Sequence, residues 1–309
     1  MIELNNVRKE FDDLVAVQDL NLSIPEREVY GLIGPNGAGK TTTIRIACGL
    51  LSATRGSATI AGIDVALEPE LAQQHIGYLS DFFSVYEDLT VWEYLDYFAR
   101  AYFMPPEAIS SRIDKVITQV GLEVKRDAMI RGLSRGMKQR LGIARAIIHR
   151  PKVLLLDEPA SGLDPKARFE LRNLLRELRD DGATILISSH ILSELEGFCT
   201  SIGIMEKGHL IRSGRIEEIA AAGSPARLVR IRWVDTPLES VENALRNDRR
   251  VSGIDLSLVA GTFQFSGEDT ELAQLVSGLV NAGIRLVSFS ETKQTVEDLY
   301  MRLSKHEVT

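Results

Sequence analysis

Residues 34–41 read Gly34-Pro35-Asn36-Gly37-Ala38-Gly39-Lys40-Thr41, a glycine, four residues, then Gly-Lys-Thr. This is the phosphate-binding loop pattern, and it demands a strand before it and a helix after it. The glycines let backbone N–H groups turn inward and approach a polyphosphate. Lys40 brings a mobile positive charge to the outer phosphates, and Thr41 offers a hydroxyl to Mg²⁺. Val29–Ile33 reads as a buried strand, and Thr42–Leu50 as a helix whose N-terminus faces the phosphates. Gly34, Asn36, Gly37, Gly39, Lys40, Thr41 and Thr42 are therefore candidate nucleotide contacts.

The rest of the chain has to say what the nucleotide drives. The 309 residues allow one large domain and a smaller one. Net charge is −7, so the chain lacks a basic nucleic-acid footprint, and no nucleic-acid partner is expected. Glu3, Asn5 and Asn6 interrupt any leading apolar run, and no stretch of 18 apolar residues exists. The reading is a cytoplasmic protein. Cys48 and Cys199 are isolated and read as small buried apolar residues.

Residues 2–7 and 14–24 alternate as half-buried antiparallel strands do. Ala58–Ile60, Ile76–Leu79, Val153–Leu156, Thr184–Ile187 and Ile202–Met205 read as further strands, the last turning back at Lys207-Gly208 into Leu210-Ile211. Helical patterns cover Thr90–Val120 with a break at Pro105-Pro106, then Ser134–His149, Pro165–Asp181 and Ile191–Phe198. Alternation of this kind implies an α/β core with a largely parallel sheet. Ala221–Pro225 is small and turn-rich, and marks a domain boundary. After it the order is strand, helix, strand, strand, helix, strand, then a final helix at Thr295–Leu303. That βαββαβ order predicts a small ferredoxin-like α+β domain over 226–309, behind a first domain over 1–222.

Two more signals carry chemistry. Val153-Leu154-Leu155-Leu156 ends in Asp157-Glu158. In an open parallel sheet that edge is where ligands bind. Asp157 is placed to hold Mg²⁺, and Glu158 to polarise the water that attacks a γ-phosphate. Leu133-Ser134-Arg135-Gly136-Met137-Lys138-Gln139-Arg140 lies shortly before. Ser134 reads as a helix N-cap, and the helix end it caps suits a phosphate.

With this segment, residues 2 to about 220 resemble the ATPase subunits of ABC transporters. The resemblance implies a P-loop NTPase fold with an antiparallel β subdomain and a helical subdomain over about 82–150. Residues 34–41 then match the Walker A loop, and 153–158 the Walker B strand. Ser134 and Gly136 match the signature motif, and Ser161-Gly162-Leu163-Asp164 the loop that crosses between subunits. Phe11 falls where an aromatic residue stacks on adenine, and His190, after Ser188-Ser189, where a histidine contacts the γ-phosphate. The plainer readings are an ordinary aromatic for Phe11, a structural histidine for His190 and a helix cap alone for Ser134. The resemblance further implies ATP and Mg²⁺ as cofactors and a homodimer closing over two nucleotides. It also implies a membrane-spanning permease partner, which holds the chain on the inner face of the cell membrane.

The chain departs from that pattern at three positions. Arg135 and Met137 stand where the signature usually has glycine and glutamine, and Asp81 stands where the Q-loop usually ends in glutamine. Asp81, shorter and charged, is assigned to Mg²⁺ or the attacking water. Nine of the 19 aromatic residues lie between Phe82 and Phe103. The family docks a membrane subunit beside the Q-loop, so Phe82, Phe83 and Tyr86 are expected at that interface. The signature, the Tyr78-Leu79-Ser80-Asp81-Phe82-Phe83 stretch and the Thr295–Tyr300 ending are most like the ABC-2-type exporter group. Soluble ABC ATPases of translation or DNA repair are the alternative. They usually carry two ATPase domains or a long coiled-coil insertion, and this chain has neither. A nucleotide-sensing module would be expected to lack the Glu158 carboxylate.

Overall fold

A computed structural model describes residues 1–195, 197–216, 218–219 and 226–292. The chain separates into two compact units, Met1–Ile216 and Glu217–Thr309. The Ala221–Pro225 boundary stretch and the Thr295–Leu303 helix lie outside the described residues.

The first unit opens with β1 (Ile2–Phe11) and β2 (Leu14–Ile24), paired antiparallel as their alternation requires. Ile2, Leu4 and Val7 point into the core, and a bulge at Asn6, with φ 48°, shifts the register between Leu4 and Val7. β3 (Val29–Ile33) leads through the loop into α1 (Lys40–Ala47). β4 (Arg55–Ile60) and β5 (Ile63–Asp64) complete an antiparallel sheet of order β2-β1-β4-β5. A short α2 (Pro69–Gln73) precedes β6 (Ile76–Leu79).

The helical subdomain follows as α3 (Val91–Ala101), α4 (Pro106–Gln119) and α5 (Arg135–Ile147). Thr90 and Glu93 form a capping box that starts α3, and Ser134 caps α5 by accepting the Met137 N–H at 3.3 Å. Then come β7 (Val153–Leu156), α6 (Pro165–Asp180), β8 (Thr184–Ser189) and the hairpin β9 (Ser201–Glu206) and β10 (His209–Arg215). Asp164 caps α6 and Pro165 opens it, as Pro prefers. The second sheet has the order β10-β9-β3-β8-β7-β6. Its five inner pairings are one antiparallel edge, β10 on β9, and four parallel pairings. Every residue of β3, β7 and β8 is buried, which is why these strands read as continuous apolar runs.

The helix expected over Ile191–Phe198 is instead a single 3₁₀ turn at Leu192–Glu194. Leu192, Leu195 and Phe198 are buried, so the spacing was real. The turn is fixed by Ser189, whose hydroxyl reaches the Ile191 carbonyl and the Glu194 carboxylate, and Gly197 ends it at φ 79°.

The second unit runs β11 (Ala226–Val234), α7 (Leu238–Arg246), β12 (Val251–Leu256), β13 (Ala260–Ser266), α8 (Asp269–Asn281) and β14 (Arg285–Thr292). Its sheet order is β12-β13-β11-β14, all antiparallel. This is the ferredoxin-like arrangement that the element order predicts. Its own core joins Val229, Ile231, Phe263 and Phe265 to Val241, Leu245 and Leu279.

Candidate active site

The strand order explains how distant residues meet. β3, β8, β7 and β6 lie side by side and parallel. Their C-terminal ends deliver, in that order, the 34–41 loop, His190, the Asp157-Glu158 pair and Asp81. Hydrogen bonds fix the strand ends: Gly34 N–H donates to Ser189 O at 3.4 Å, and Asp157 N–H to Leu79 O at 2.8 Å. One cleft of about 460 Å³ holds Asn36, Gly37, Gly39, Lys40, Thr41 and Thr42 together with Phe11, Asp81 and Glu158. Phe11, at the end of β1, is 43% exposed there, with the Lys9 ammonium 4.9 Å from its ring centre.

Gly39 takes φ 102° as the residue before α1, and a Cβ there would stand 2.4 Å from the Ala16 carbonyl oxygen. Only glycine fits that position. No side chain caps α1, so its first-turn N–H groups face the cleft with a positive partial charge. Lys40 is only 5% exposed. Its Nζ donates to Gly34 O at 2.7 Å and Pro35 O at 3.2 Å, and lies 3.3 Å from Glu158 Oε1. A buried ammonium needs such partners, and each is one a phosphate oxygen would replace.

Thr41 Oγ1 donates to Asp157 Oδ1 at 3.1 Å. The same oxygen accepts the Ser188 hydroxyl at 2.6 Å, while Ser188 Oγ accepts the Glu158 N–H at 2.9 Å. Glu158 sits at φ 48°, a left-handed conformation costly for a residue with a Cβ. Its Oε2 accepts the His190 N–H at 3.3 Å and Nδ1–H at 2.8 Å. Donation from Nδ1 leaves Nε2 of His190 free for a second partner. Burial and the carboxylates of Asp157 and Glu158 hold the Asp81 pKa above its ordinary value.

Ser134 and Gly136, at the start of α5, do not line this cleft. A second cleft brings Arg135, Lys138 and Ser161 to Asp81 and Glu158. Phe82 is 92% exposed and Tyr86 55%. Phe83 is half-buried: its ring lies over Gly142, where an added Cβ would stand 2.7 Å from it, the Arg145 guanidinium lies 5.7 Å from its centre, and it also lines the second cleft. Sequence reasoning missed Ser188 and the cleft-lining Lys207. The Ser-Ser-His run was the available signal for Ser188. Lys207 registered only as a hairpin turn.

Among the described residues no cluster of three or more His, Cys, Asp or Glu could cage a metal. None of their helices is long and apolar enough to cross a membrane.

A family model described as ABC transporter matches residues 17–161. An uncharacterized ABC transporter ATP-binding protein, YhcH of Bacillus subtilis, is 33% identical over 98% of this chain and 96% of its own length. The Nod factor export ATP-binding protein I of Burkholderia lata is 33% identical over 99% of this chain and 98% of its own. A solved ATP-binding subunit of an ABC transporter is 31% identical, with a TM-score of 0.66 over 72% of this chain and 92% of that one. A dimeric ATP-binding cassette in a post-hydrolysis state, bound to ADP and Pi, is 27% identical, with a TM-score of 0.63 over 70% of this chain and 98% of that one. The chain belongs to the ABC transporter family, as an ATP-binding subunit that hydrolyses ATP.

Proposed function

We propose that this chain powers export through a separate membrane-spanning permease, two copies closing over two ATP molecules. The relative named for Nod factor export supports the direction, and the dimeric post-hydrolysis cassette supports the pairing. In that assembly residues 1–222 form the ATPase domain and 226–309 an accessory domain. The chain works at the cytoplasmic face of the membrane, held there by the permease.

The observation that carries the mechanism is Glu158, fixed between His190 and Lys40 at the mouth of the phosphate loop. ATP entering the loop takes over the Lys40 ammonium and the α1 N–H groups. Glu158, released from Lys40, orients water in line with the γ-phosphate. His190 Nε2 faces the charge that develops on the γ-phosphate oxygens, while Nδ1 stays on Glu158 and fixes the ring. Phe11 offers its exposed face to the adenine.

Thr41 and Asp157 would hold Mg²⁺. One hydroxyl and one carboxylate, already converged at 3.1 Å, fit an ion that relies on substrate phosphates and water for its other ligands. When bound, the ion neutralises charge on the β- and γ-phosphates. Asp81 adds a second carboxylate, at the rim of the cleft. Ser134 and Gly136 serve the nucleotide of the facing copy, since their helix end lies outside the chain's own loop cleft.

The test is Glu158→Gln. It is expected to cut turnover by about 10² or more and to accumulate an ATP-bound dimer. Normal hydrolysis by that variant would remove Glu158 from its role.

A further inference from the structure

Arg135 replaces a glycine of the usual signature, and its side chain turns back onto its own chain. Its Nη2 donates to Ser161 O at 2.9 Å. The guanidinium lies flat on Gly162, where an added Cβ would stand 2.3 Å from Cζ and 2.4 Å from both Nη atoms. Gly162 also holds φ 67°, which glycine takes without strain, and its missing Cβ leaves the space the guanidinium fills. Ser161 in turn donates its N–H to Glu158 O at 3.1 Å, closing the turn that begins at the strained Glu158. A continuous path of hydrogen bonds therefore runs from the first residue of α5 to Glu158. Arg135, Ser161, Glu158 and Asp81 line one cleft.

We propose that Arg135 is a positioning residue: it ties α5 to the Ser161-Gly162 turn, so that engagement of the facing nucleotide by Ser134 sets the placement of Glu158. The inference rests on the two-copy reading above. In a single chain the contact is exposed and adds little. In the closed pair the same face is covered, and a charge-assisted hydrogen bond out of water becomes a firm link. A glycine at 135 has no side chain to make it. A lysine keeps the charge but loses the planar fork that lies on Gly162.

The experiment compares ATP turnover by the full-length wild type with R135G, R135K, G162A and the R135G/G162A pair. ATP-driven dimer formation is measured in the Glu158→Gln background, with and without R135G. R135G is expected to lower kcat about tenfold, with KM for ATP and the ATP concentration for dimer formation each changing by less than about twofold. G162A reproduces the fall, the pair falls no further than either single change, and R135K stays nearer to R135G than to wild type. A kcat for R135G within about twofold of wild type, full rescue by lysine, or dimer formation weakened as much as kcat would overturn the proposal. Glu158→Gln alone remaining monomeric with ATP would overturn the two-copy reading, and is seen without any change at position 135.

Discussion

Ser188 ties the Asp157 carboxylate to the backbone of Glu158. Its hydroxyl donates to Asp157 and accepts from the backbone of Glu158. Ser188→Ala removes both bonds without adding bulk. It is expected to lower kcat about tenfold while leaving ATP affinity within a few fold, as read from steady-state kinetics and nucleotide titration. Asp81 gives a pH-dependent prediction. Its folded pKa lies above the ordinary 3.8, so the folded chain holds that proton more tightly than the unfolded chain. Ionised Asp81 therefore costs stability above its folded pKa, and the cost disappears as pH falls toward 3.8. Asp81→Asn should raise the unfolding midpoint of the nucleotide-free chain at pH 7. Its advantage should shrink steadily as the pH is lowered, measured by urea unfolding across that range. At this scale the sequence was legible where chemistry dictates spacing, as at Gly34, Gly39, Lys40 and Thr41. It marked Arg135 and the Ser-Ser-His run but not what Arg135 and Ser188 bind, because their partners are 26 and 31 residues away and pairing depends on the fold.

α5 carries three kinds of information on one helix. Its N-terminus presents Ser134, its middle packs Phe83 against Gly142, and its end abuts His149. The helical period placed α3, α4 and α5 correctly, but it could not tell which aromatics beside them face the core. Phe83→Asp would replace a half-buried ring over Gly142 with a carboxylate and should cost about 1 kcal/mol or more, whereas Phe82→Asp should stay within about 0.5 kcal/mol. Urea unfolding separates the two. Only the Phe82 variant is then suited to testing contact with the permease. His149 sets an acid limit on the same region. It stacks on Tyr102 at 3.7 Å, donates from Nε2 to Ile76 O at 3.0 Å, and leaves Nδ1 buried without a partner. Burial lowers its pKa from 6.5 to about 4. The unfolded chain takes that proton first, so stability is full above pH 6.5 and falls as the pH drops toward 4. His149→Gln should flatten that part of the curve. At Ile191–Phe198 a Ser189 hydroxyl binding the local backbone competes with a helix, and apolar spacing does not reveal it.

Strand order governs the molecule as a whole. β8 lies between β3 and β7, which puts His190 between the phosphate loop and the carboxylates. No sequence pattern states that order. Motifs gave the parts of the site, and the parallel sheet assembled them. The second unit was legible because βαββαβ with antiparallel neighbours leaves few topologies, and its separate core follows from that. A chain ending at Ile216 should bind ATP within about twofold of the full chain, as a fluorescent-nucleotide titration would show. In the proposed pair each complete site joins the loop of one copy to Ser134 of the other. The direct measurement is light scattering with ATP on Glu158→Gln and on the same chain carrying Ser134→Glu. The first should form a dimer, and the second a monomer that still binds ATP within a few fold. Dimerisation by both, or loss of ATP binding by the Ser134→Glu monomer, would contradict that pairing.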